Sequence, residues 1–218
     1  MNIAVNRTKK PARAAGGSRL RQTKTEKILN AALQTFLESG YGAASVDAIT
    51  ARAGVSKATV YTRFPSKQDL FAAVIERECK ACTERMALAE ISPAPDLARA
   101  LHHVADTLLD IILLPQNLSI QRLVIAEWPR FPELGKVFYE SGPLGTLQNL
   151  ATFLDHECEH GRLCIDDATA AAQHFISLLR GDIQIRALLG VGDLSKAARK
   201  RVADYAVTAF MRLYGGSE

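Results

Sequence analysis

Apolar residues recur along most of the chain at the three- and four-residue spacing of amphipathic helices. Residues such as Leu144, Leu147, Leu150 and Leu154 keep this spacing between glycine and proline residues that would end a helix. The alternation of apolar and polar residues that is typical of strands is nowhere sustained, and no repeat of fixed period is visible. The pattern predicts an all-α fold of about nine or ten helices.

The first predicted helix follows an N-terminal arm. Residues 1–22 are rich in Lys, Arg, Ala and Gly and lack a hydrophobic period, so we predict a flexible basic arm. Thr23-x-x-Glu26 is a capping-box pattern, and the helical spacing that follows it continues until Gly40.

Two short helices are predicted next, each begun by a serine. Ser45 is a good N-cap for residues 46–53, which Gly54 ends, and Ser56 caps a second helix over residues 57–64. Two short helices joined in this way have the layout of a helix-turn-helix, whose second helix enters the major groove of DNA.

A helical wheel divides the second short helix into two faces. Val60 and Phe64 point one way, where they would dock on Ile49 and on the first helix. The opposite face and its flanks are small, hydroxylic and basic, which suits close approach to base edges with phosphate contacts beside it. These outward residues are Lys57, Ala58, Thr59, Tyr61, Thr62 and Arg63. An ordinary solvated helix within a bundle would explain the same residues.

A long helix is predicted to start at Ser66-x-x-Asp69 and to run toward Ala89, where it could link two modules. Lys67 lies in its first turn, where backbone N–H groups and the helix dipole favour a phosphate.

Net charge is distributed unevenly along the chain. The 218 residues carry a formal charge of only +4. Residues 1–67 hold 12 Lys/Arg against 3 Asp/Glu, a net charge of +9, whereas residues 68–218 hold 15 against 20, a net charge of −5. A basic N-terminal third suggests that this end meets phosphates while the remainder has another role.

Membrane insertion and secretion find no support in the sequence. No window reaches the roughly 18 consecutive apolar residues of a spanning helix, and no apolar segment follows the basic residues near the N-terminus. Four cysteines are too few for a disulfide scaffold. We therefore expect a cytoplasmic protein with thiol cysteines and no membrane partner.

Residues 25–75 resemble the DNA-binding domain of the TetR family of bacterial transcriptional regulators. The motifs that carry the resemblance are FLESGYGAASVDAIT, AGVSKATVYTRF and SKQDLF. The resemblance implies that one set of residues contacts the phosphate backbone: Ser45, Ser56, Thr59, Tyr61, Thr62, Arg63 and Lys67. It implies that Lys57 and Ala58 approach base edges, with Lys57 reading a guanine. Ala58 departs from the glycine that is common at this position, which affects which operator sequence is bound.

The C-terminal remainder is similar to the AefR-like branch of the same family, through LVIAEWPRFPELGKVFYESGP at 123–143 and FISLLRGDIQIRALLG at 175–190. The resemblance implies a domain for ligand binding and dimerisation. We accordingly predict a basic arm at 1–22, a DNA-binding domain at 23–67 and an effector-binding and dimerisation domain at 68–218.

Five aromatic or histidine side chains are candidates for an apolar ligand pocket with polar groups: His102, Trp128, Phe138, Tyr139 and His174. Eight residues on the last two helices, which Gly190, Val191 and Gly192 separate, are candidates for a four-helix dimer interface of the kind that the resemblance implies. They are Phe175, Leu178, Leu179, Ile183, Leu188, Tyr205, Phe210 and Leu213. Packing inside one bundle would explain either set.

Two motifs suggest another class of protein. His156 and His160 belong to an H-E-x-x-H sequence, the pattern of zinc metalloproteases, and Cys158 and Cys164 lie nearby, as a metal sensor would require. Cys79-x-x-Cys82 places two thiols on one face of the long helix, where a redox or metal switch is conceivable. A zinc-dependent enzyme or a metal or redox sensor is therefore the alternative, although solvated and buried side chains are the commoner explanation of both motifs.

Together these patterns predict a homodimeric repressor that binds a palindromic operator and that a small-molecule effector releases. We expect no catalytic residues, no bound metal and no cofactor, and the sequence does not reveal the effector or the target genes.

Overall fold

The structure is a computed structural model that describes residues 23–90 and 96–216. Within these ranges the chain forms ten α-helices and no strand, which confirms the predicted all-α class. The helices are α1 (Lys24–Ala43), α2 (Val46–Ala53), α3 (Lys57–Tyr61), α4 (Lys67–Glu90), α5 (Leu97–Ile112), α6 (Pro115–Glu127), α7 (Glu133–Ser141), α8 (Pro143–Glu159), α9 (Ala168–Leu189) and α10 (Lys196–Tyr214). The arm predicted at 1–22 lies outside the described residues.

Helix α1 begins at the predicted capping box. The Glu26 backbone N–H donates to Thr23 Oγ1 at 3.2 Å, and the Thr23 backbone N–H donates to Glu26 Oε2 at 2.6 Å. The helix bends at Gly40, where φ is 76° and ψ is 163°, and continues for one more turn to Ala43. Only glycine adopts these angles without strain, so the predicted end of the helix is a sharp bend within it.

Two hydrophobic cores hold the helices together. The first lies mainly among α5, α8, α9 and α10 and includes Leu108, Phe175 and Phe210. The second joins α1 to α4 with α6 and α7, so that Phe71 of α4 belongs to the same buried cluster as Leu134 of α7. The N-terminal helices therefore share a core with two helices from the middle of the chain.

No single helix in the described ranges is long and apolar enough to cross a membrane, whereas α5 and α6 together reach that length and composition across a bend of 56°.

Candidate nucleic-acid interface and ligand cavity

A tight turn joins α2 to α3. Gly54 ends α2 in the left-handed region, with φ 66° and ψ 38°, which glycine adopts readily. The backbone N–H of Val55 then donates to the Thr50 carbonyl at 3.2 Å. The predicted serine caps are both present, because Ser45 Oγ accepts from Ala48 N at 3.1 Å and Ser56 Oγ accepts from Thr59 N at 3.2 Å. These bonds set the angle between the two helices.

The inner side of the helix-turn-helix is buried as the wheel predicts. Ile49 and Val60 are at most 1% exposed, and Phe64 is buried with them against α1. Helix α3 ends at Tyr61, earlier than predicted, yet the Phe64 N–H still donates to the Val60 carbonyl at 2.9 Å, so the backbone completes another turn. This packing holds the opposite face of α3 toward the exterior.

Seven of the nine predicted DNA-contacting residues are exposed, and Thr59 and Lys67 are half-buried. The hydroxyls on α3 have local partners: Ser56 and Thr59 share a hydrogen bond of 2.8 Å, and Thr62 Oγ1 donates to the Ala58 carbonyl at 2.8 Å. Tyr61 is 43% exposed. The exposed residues are Ser45, Ser56, Lys57, Ala58, Tyr61, Thr62 and Arg63.

Lys57, the residue predicted to read a guanine, is paired with an acidic neighbour. Its Nζ lies 2.8 Å from Oδ1 of Asp47, in the first turn of α2. The hydrogen bond and the charge of Asp47 raise the pKa of Lys57 above its usual value. Both side chains are exposed, so the pair competes with water and with any phosphate or base that approaches.

Lys67, in the first turn of α4, is held by the end of α1. Its Nζ donates to the carbonyl oxygens of Tyr41 at 2.9 Å, Gly42 at 3.2 Å and Ala44 at 3.2 Å. It also lies 4.6 Å from the centroid of the Tyr41 ring. Because an ammonium group has three donors, these carbonyls occupy all of them. From the sequence we predicted a phosphate contact for Lys67. Its hydrogen bonds to the end of α1 were not predicted.

A cavity of about 70 Å³ lies among α4 to α9. Most of its wall is apolar, and its polar groups come from α4, α6, α8 and α9. The lining residues are Glu78, Cys79, Cys82, Leu108, Ile111, Ile112, Asn117, Ile120, Gln121, Phe138, Gly142, Pro143, Thr146, Ile176 and Arg180. Helix α4 therefore reaches from the helix-turn-helix to this cavity.

Of the five residues predicted to line a ligand pocket, Phe138 lies in the wall of this cavity and the other four lie elsewhere. Trp128 and Tyr139 are 59% and 51% exposed. His102 Nε2 faces Asp204 on α10 at 3.3 Å, and His174 Nδ1 lies 2.5 Å from the Tyr214 hydroxyl. The five residues were chosen by residue type, which does not show which helix faces surround the cavity.

Arg180 is the cavity residue that sequence reasoning most clearly missed. It follows the largely apolar segment from Phe175 to Leu179 directly. No sequence feature distinguishes it, because Asp182 and Arg186 lie on the same helix.

Two family models match the chain. The model of bacterial regulatory proteins of the tetR family matches residues 28–74, and that of the AefR-like transcriptional repressor C-terminal domain matches residues 99–216. The chain belongs to the TetR family. It is a transcriptional regulator with a helix-turn-helix DNA-binding region, and TetR-family regulators bind DNA and typically act as dimers.

Individual relatives agree with the family. The solved structure of the flavonoid-responsive regulator FrrA shares 36% identity with a TM-score of 0.76, covering 88% of this chain and 97% of that chain. The regulator SrpR of Pseudomonas putida is 26% identical over 193 residues, 86% of this chain and 84% of that protein. The activator FasR of Mycolicibacterium smegmatis is 42% identical over 81 residues, which cover 35% of this chain and only 36% of FasR.

The H-E-x-x-H motif lies at the end of α8 in this TetR-family fold. Glu157, which would be the general base of a protease, is 4% exposed and its Oε2 lies 2.6 Å from Arg162 Nε. His160 caps the helix, with its Nδ1 2.7 Å from the His156 carbonyl. No group of three side chains suited to a metal ion occurs among the described residues. In this arrangement Glu157 stabilises the helix end through an ion pair.

The Cys79-x-x-Cys82 pair faces the cavity. The four cysteines, all within the described part of the chain, form no disulfide. Burial, followed by the nearby Cys82 and Glu78, raises the pKa of Cys79 to about 12. A thiol with so high a pKa is almost entirely protonated near neutral pH, which makes it a poor nucleophile and a slow target for oxidants.

Helices α9 and α10 carry an exposed apolar face. Four of the eight predicted interface residues are buried inside the subunit, namely Phe175, Leu179, Ile183 and Phe210. Leu178 and Leu188 are half-buried, and Tyr205 and Leu213 are 72% and 66% exposed. Three further apolar residues at the end of α9 and just after it are exposed and were not among the predicted interface residues: Ile185, Leu189 and Val191.

Proposed function

We propose that the protein is a ligand-responsive transcriptional repressor that binds a pseudo-palindromic operator as a homodimer and is released by a small-molecule effector. The observation that carries this proposal is the position of α4. Its first turn holds the end of α1 beside the helix-turn-helix through Lys67, and its later turns line the cavity. A ligand that moves α4 would therefore change the orientation of α2 and α3.

In this proposal α3 enters the major groove of the operator. Lys57 and Ala58 approach base edges, with Lys57 donating to a guanine and the Ala58 methyl group close to the groove floor. The remaining hydroxyl, phenol and guanidinium groups of the site contact phosphates. These are Ser45, Ser56, Thr59, Tyr61, Thr62 and Arg63. Lys67 joins them only if its ammonium exchanges one carbonyl of α1 for a phosphate oxygen.

We assign residues 23–67 to DNA binding and residues 68–218 to effector binding and dimerisation, with residues 1–22 as an additional basic arm. The exposed apolar residues of α9 and α10 support a dimer, since a face of this kind is normally covered by a partner. Tyr205, Leu213, Ile185 and Leu189 would contact the partner subunit. The buried Phe175, Leu179, Ile183 and Phe210 would support this interface from inside the subunit.

Effector binding is proposed to change the spacing of the two recognition helices. A cavity of about 70 Å³ is smaller than the roughly 150 Å³ cavity that admits benzene. A ligand as large as a benzene ring must therefore separate the helices around the cavity. Such a ligand would bind an altered arrangement of the helices more tightly and would lower DNA affinity by mass action. FrrA is described as flavonoid-responsive, and compact aromatic molecules are accordingly reasonable first effectors to test here.

Repression is favoured by the match of the C-terminal domain, whose model is that of a repressor. The relative FasR is an activator, and its similarity covers only about a third of either chain. A regulator of this kind acts where the chromosome is, so we place the protein in the bacterial cytoplasm.

The test begins by selecting duplexes that bind the full-length protein from a pool of random sequence. A two-fold symmetric motif is expected, with half-sites spaced by about one helical turn of 34–36 Å or a multiple of it. Light scattering should give a mass of about twice the 23.7 kDa of one chain. Enrichment of no motif, or of an asymmetric one bound by a monomer, would contradict the proposal.

A further inference from the structure

We infer that the cavity among α4 to α9 binds an amphipathic carboxylic acid, and that Arg180 receives its carboxylate. The inference rests on the proposed function, because it takes this cavity to be the effector site. It adds the chemical class of the effector and the residue that selects it.

The two charged side chains in the cavity wall differ in whether they have partners. Glu78 and Arg180 are the charged residues in its wall. Glu78 already has partners, since one of its oxygens lies 2.5 Å from Arg77 and the other accepts from Gln116. Arg180 forms no ion pair with any carboxylate among the described residues, and its buried Nε has no hydrogen-bond partner there. The carboxylate in the wall is therefore already paired, whereas the guanidinium is not.

An unsatisfied donor inside a protein is costly, because the water that would hydrate it has been removed. The buried Nε of the half-buried Arg180 is such a donor. Burial lowers the pKa of Arg180, and the nearby Tyr139 only partly offsets this effect. An arginine nevertheless stays charged at any physiological pH. A ligand that supplies an acceptor oxygen to this group would remove the cost, and a ligand without one would not.

A carboxylate matches the geometry of the group better than other acceptors. The guanidinium presents parallel N–H donors in one plane, and two carboxylate oxygens accept from them together. The amide of Gln121 lies in the same wall; its Oε1 accepts from Gln184, and its Nε2 group offers a further donor. The Asn117 amide, also in the wall, already donates to the Ile111 carbonyl and to Cys82 Sγ. Carbonyl or ether oxygens carry no full charge and would accept weaker hydrogen bonds.

The rest of the wall determines the body of the ligand. Leu108, Ile111, Ile112 and Ile176 form apolar surface beside Phe138. Such surface excludes water and favours an aliphatic or aromatic body. The ligand class that fits both halves of the cavity has one acidic end and an apolar remainder.

The experiment compares each carboxylate with its own primary amide, which has nearly the same shape but no charge. The probes are benzoate and benzamide, trans-cinnamate and trans-cinnamamide, and octanoate and octanamide. Affinities are measured by titration calorimetry on full-length protein without DNA. At least one acid is expected to bind about tenfold or more tightly than its amide.

Three variants assign this preference to Arg180. Arg180→Met should weaken binding of the preferred acid about tenfold, to the level of its amide, while the amide is bound as before. Arg180→Lys should keep a reduced preference for the acid. Arg186→Met is the matched control, because Arg186 lies on the same helix, outside this cavity, with its Nε 2.7 Å from Asp182. Circular dichroism checks that each variant is folded.

The inference is overturned if none of the acids binds more tightly than its own amide, or if Arg180→Met keeps the wild-type preference. A preference that Arg186→Met also abolishes would overturn the assignment to Arg180. Because the preference is measured without DNA, its loss leaves operator binding and release untouched. Conversely, an acid that binds through Arg180 but does not lower DNA affinity would refute effector release and leave the inference standing.

Discussion

Glu127 at the end of α6 is hydrogen bonded to the backbone of Gly42 in the last turn of α1, with 3.1 Å between Gly42 N and Glu127 Oε1. The same carboxylate oxygen lies where a side chain on Gly40 would begin, because a Cβ there would be only 2.7 Å from Oε1. Helix α6, which contributes Ile120 and Gln121 to the cavity wall, is thus directly joined to the bend in α1.

The residue between these glycines is also held from two sides. The Tyr41 ring packs edge-on against Phe131 just after α6, with 4.8 Å between centroids, and Lys67 of α4 lies over the ring. The segment Gly40 to Gly42 therefore contacts both α4 and α6, the two helices that connect the helix-turn-helix with the cavity. A change in either helix would be transmitted through this segment.

Replacing Gly40 with Ala should destabilise the protein by about 2–3 kcal/mol, since the backbone angles favour glycine alone and the new methyl group would meet Glu127. Urea denaturation of the full chain measures this difference. Gly54→Ala, at a positive φ but with open space around it, should cost only about 1 kcal/mol. Gly145→Ala in α8, which has ordinary angles and open space, should be neutral or slightly stabilising.

A double-mutant cycle separates the two causes. In a Glu127→Ala background the clash is absent, so Gly40→Ala should cost about 1 kcal/mol less than it does in the wild type. Equal costs in the two backgrounds would show that Glu127 does not restrict Gly40.

Local features of this fold were predictable from sequence because their partners are close along the chain. The serine caps of α2 and α3 bond to a backbone N–H three residues away, and the burial of Val60 follows from helical spacing. The contacts between distant parts of the chain were not predictable. Gly42 and Glu127 are 85 residues apart, and no periodicity relates them.

The same limit applies to the ligand cavity. Helical spacing showed that α9 is largely apolar, but not that Arg180 faces a cavity rather than solvent. It likewise could not separate Phe175, which is fully buried within the subunit, from Tyr205, which is 72% exposed. Which face of a helix meets which neighbour depends on crossing angles that the sequence of one helix does not contain.

Lys67→Met should weaken the protein in two ways. Three carbonyl oxygens at the end of α1 lose their donor, which should lower the free energy of unfolding by about 1–3 kcal/mol. Affinity should fall similarly for selected and random DNA, because the contact with α1 orients the whole helix-turn-helix. Lys80→Met, at an exposed position on the same helix, should change stability by less than about 0.5 kcal/mol. A selective loss of affinity for the selected DNA alone would contradict this role.

Substitutions of Lys57 and Asp47 should have different effects on DNA binding. Lys57→Ala should chiefly change which bases are preferred, because its ammonium is the group proposed to reach a guanine. Asp47→Asn should strengthen binding to every sequence, since it removes a negative charge near the phosphates and releases Lys57 from its ion pair. Fluorescence anisotropy with selected and scrambled duplexes measures both effects. Uniform weakening by Lys57→Ala would contradict base recognition.

Leu189→Glu should convert a dimer into a monomer. Leu189 is 69% exposed at the end of α9, and a carboxylate placed in an apolar interface would be desolvated without a partner. Light scattering across a dilution series measures the mass. Ile125→Glu is the control, because Ile125 lies on α6 and is 64% exposed. This substitution should leave the mass unchanged. A dimer that survives Leu189→Glu would place the interface elsewhere.

Cys79 should resist alkylation at neutral pH, although it lines the cavity. Its pKa of about 12 leaves about one thiolate in ten thousand at pH 8, whereas Cys164 is exposed and should be modified first.

The raised pKa of Cys79 also sets the sign of a pH effect on stability. Below pH 9, near the ordinary thiol pKa of 9.0, folded and unfolded chains both keep the proton. Above it the unfolded chain loses the proton first, so the contribution of Cys79 to stability falls as pH rises toward 12. Peptide mapping after iodoacetamide treatment tests the predicted order of alkylation of Cys164 and Cys79. Modification of Cys79 before Cys164 would instead support the redox-sensor alternative, because it would require a thiol activated by its surroundings.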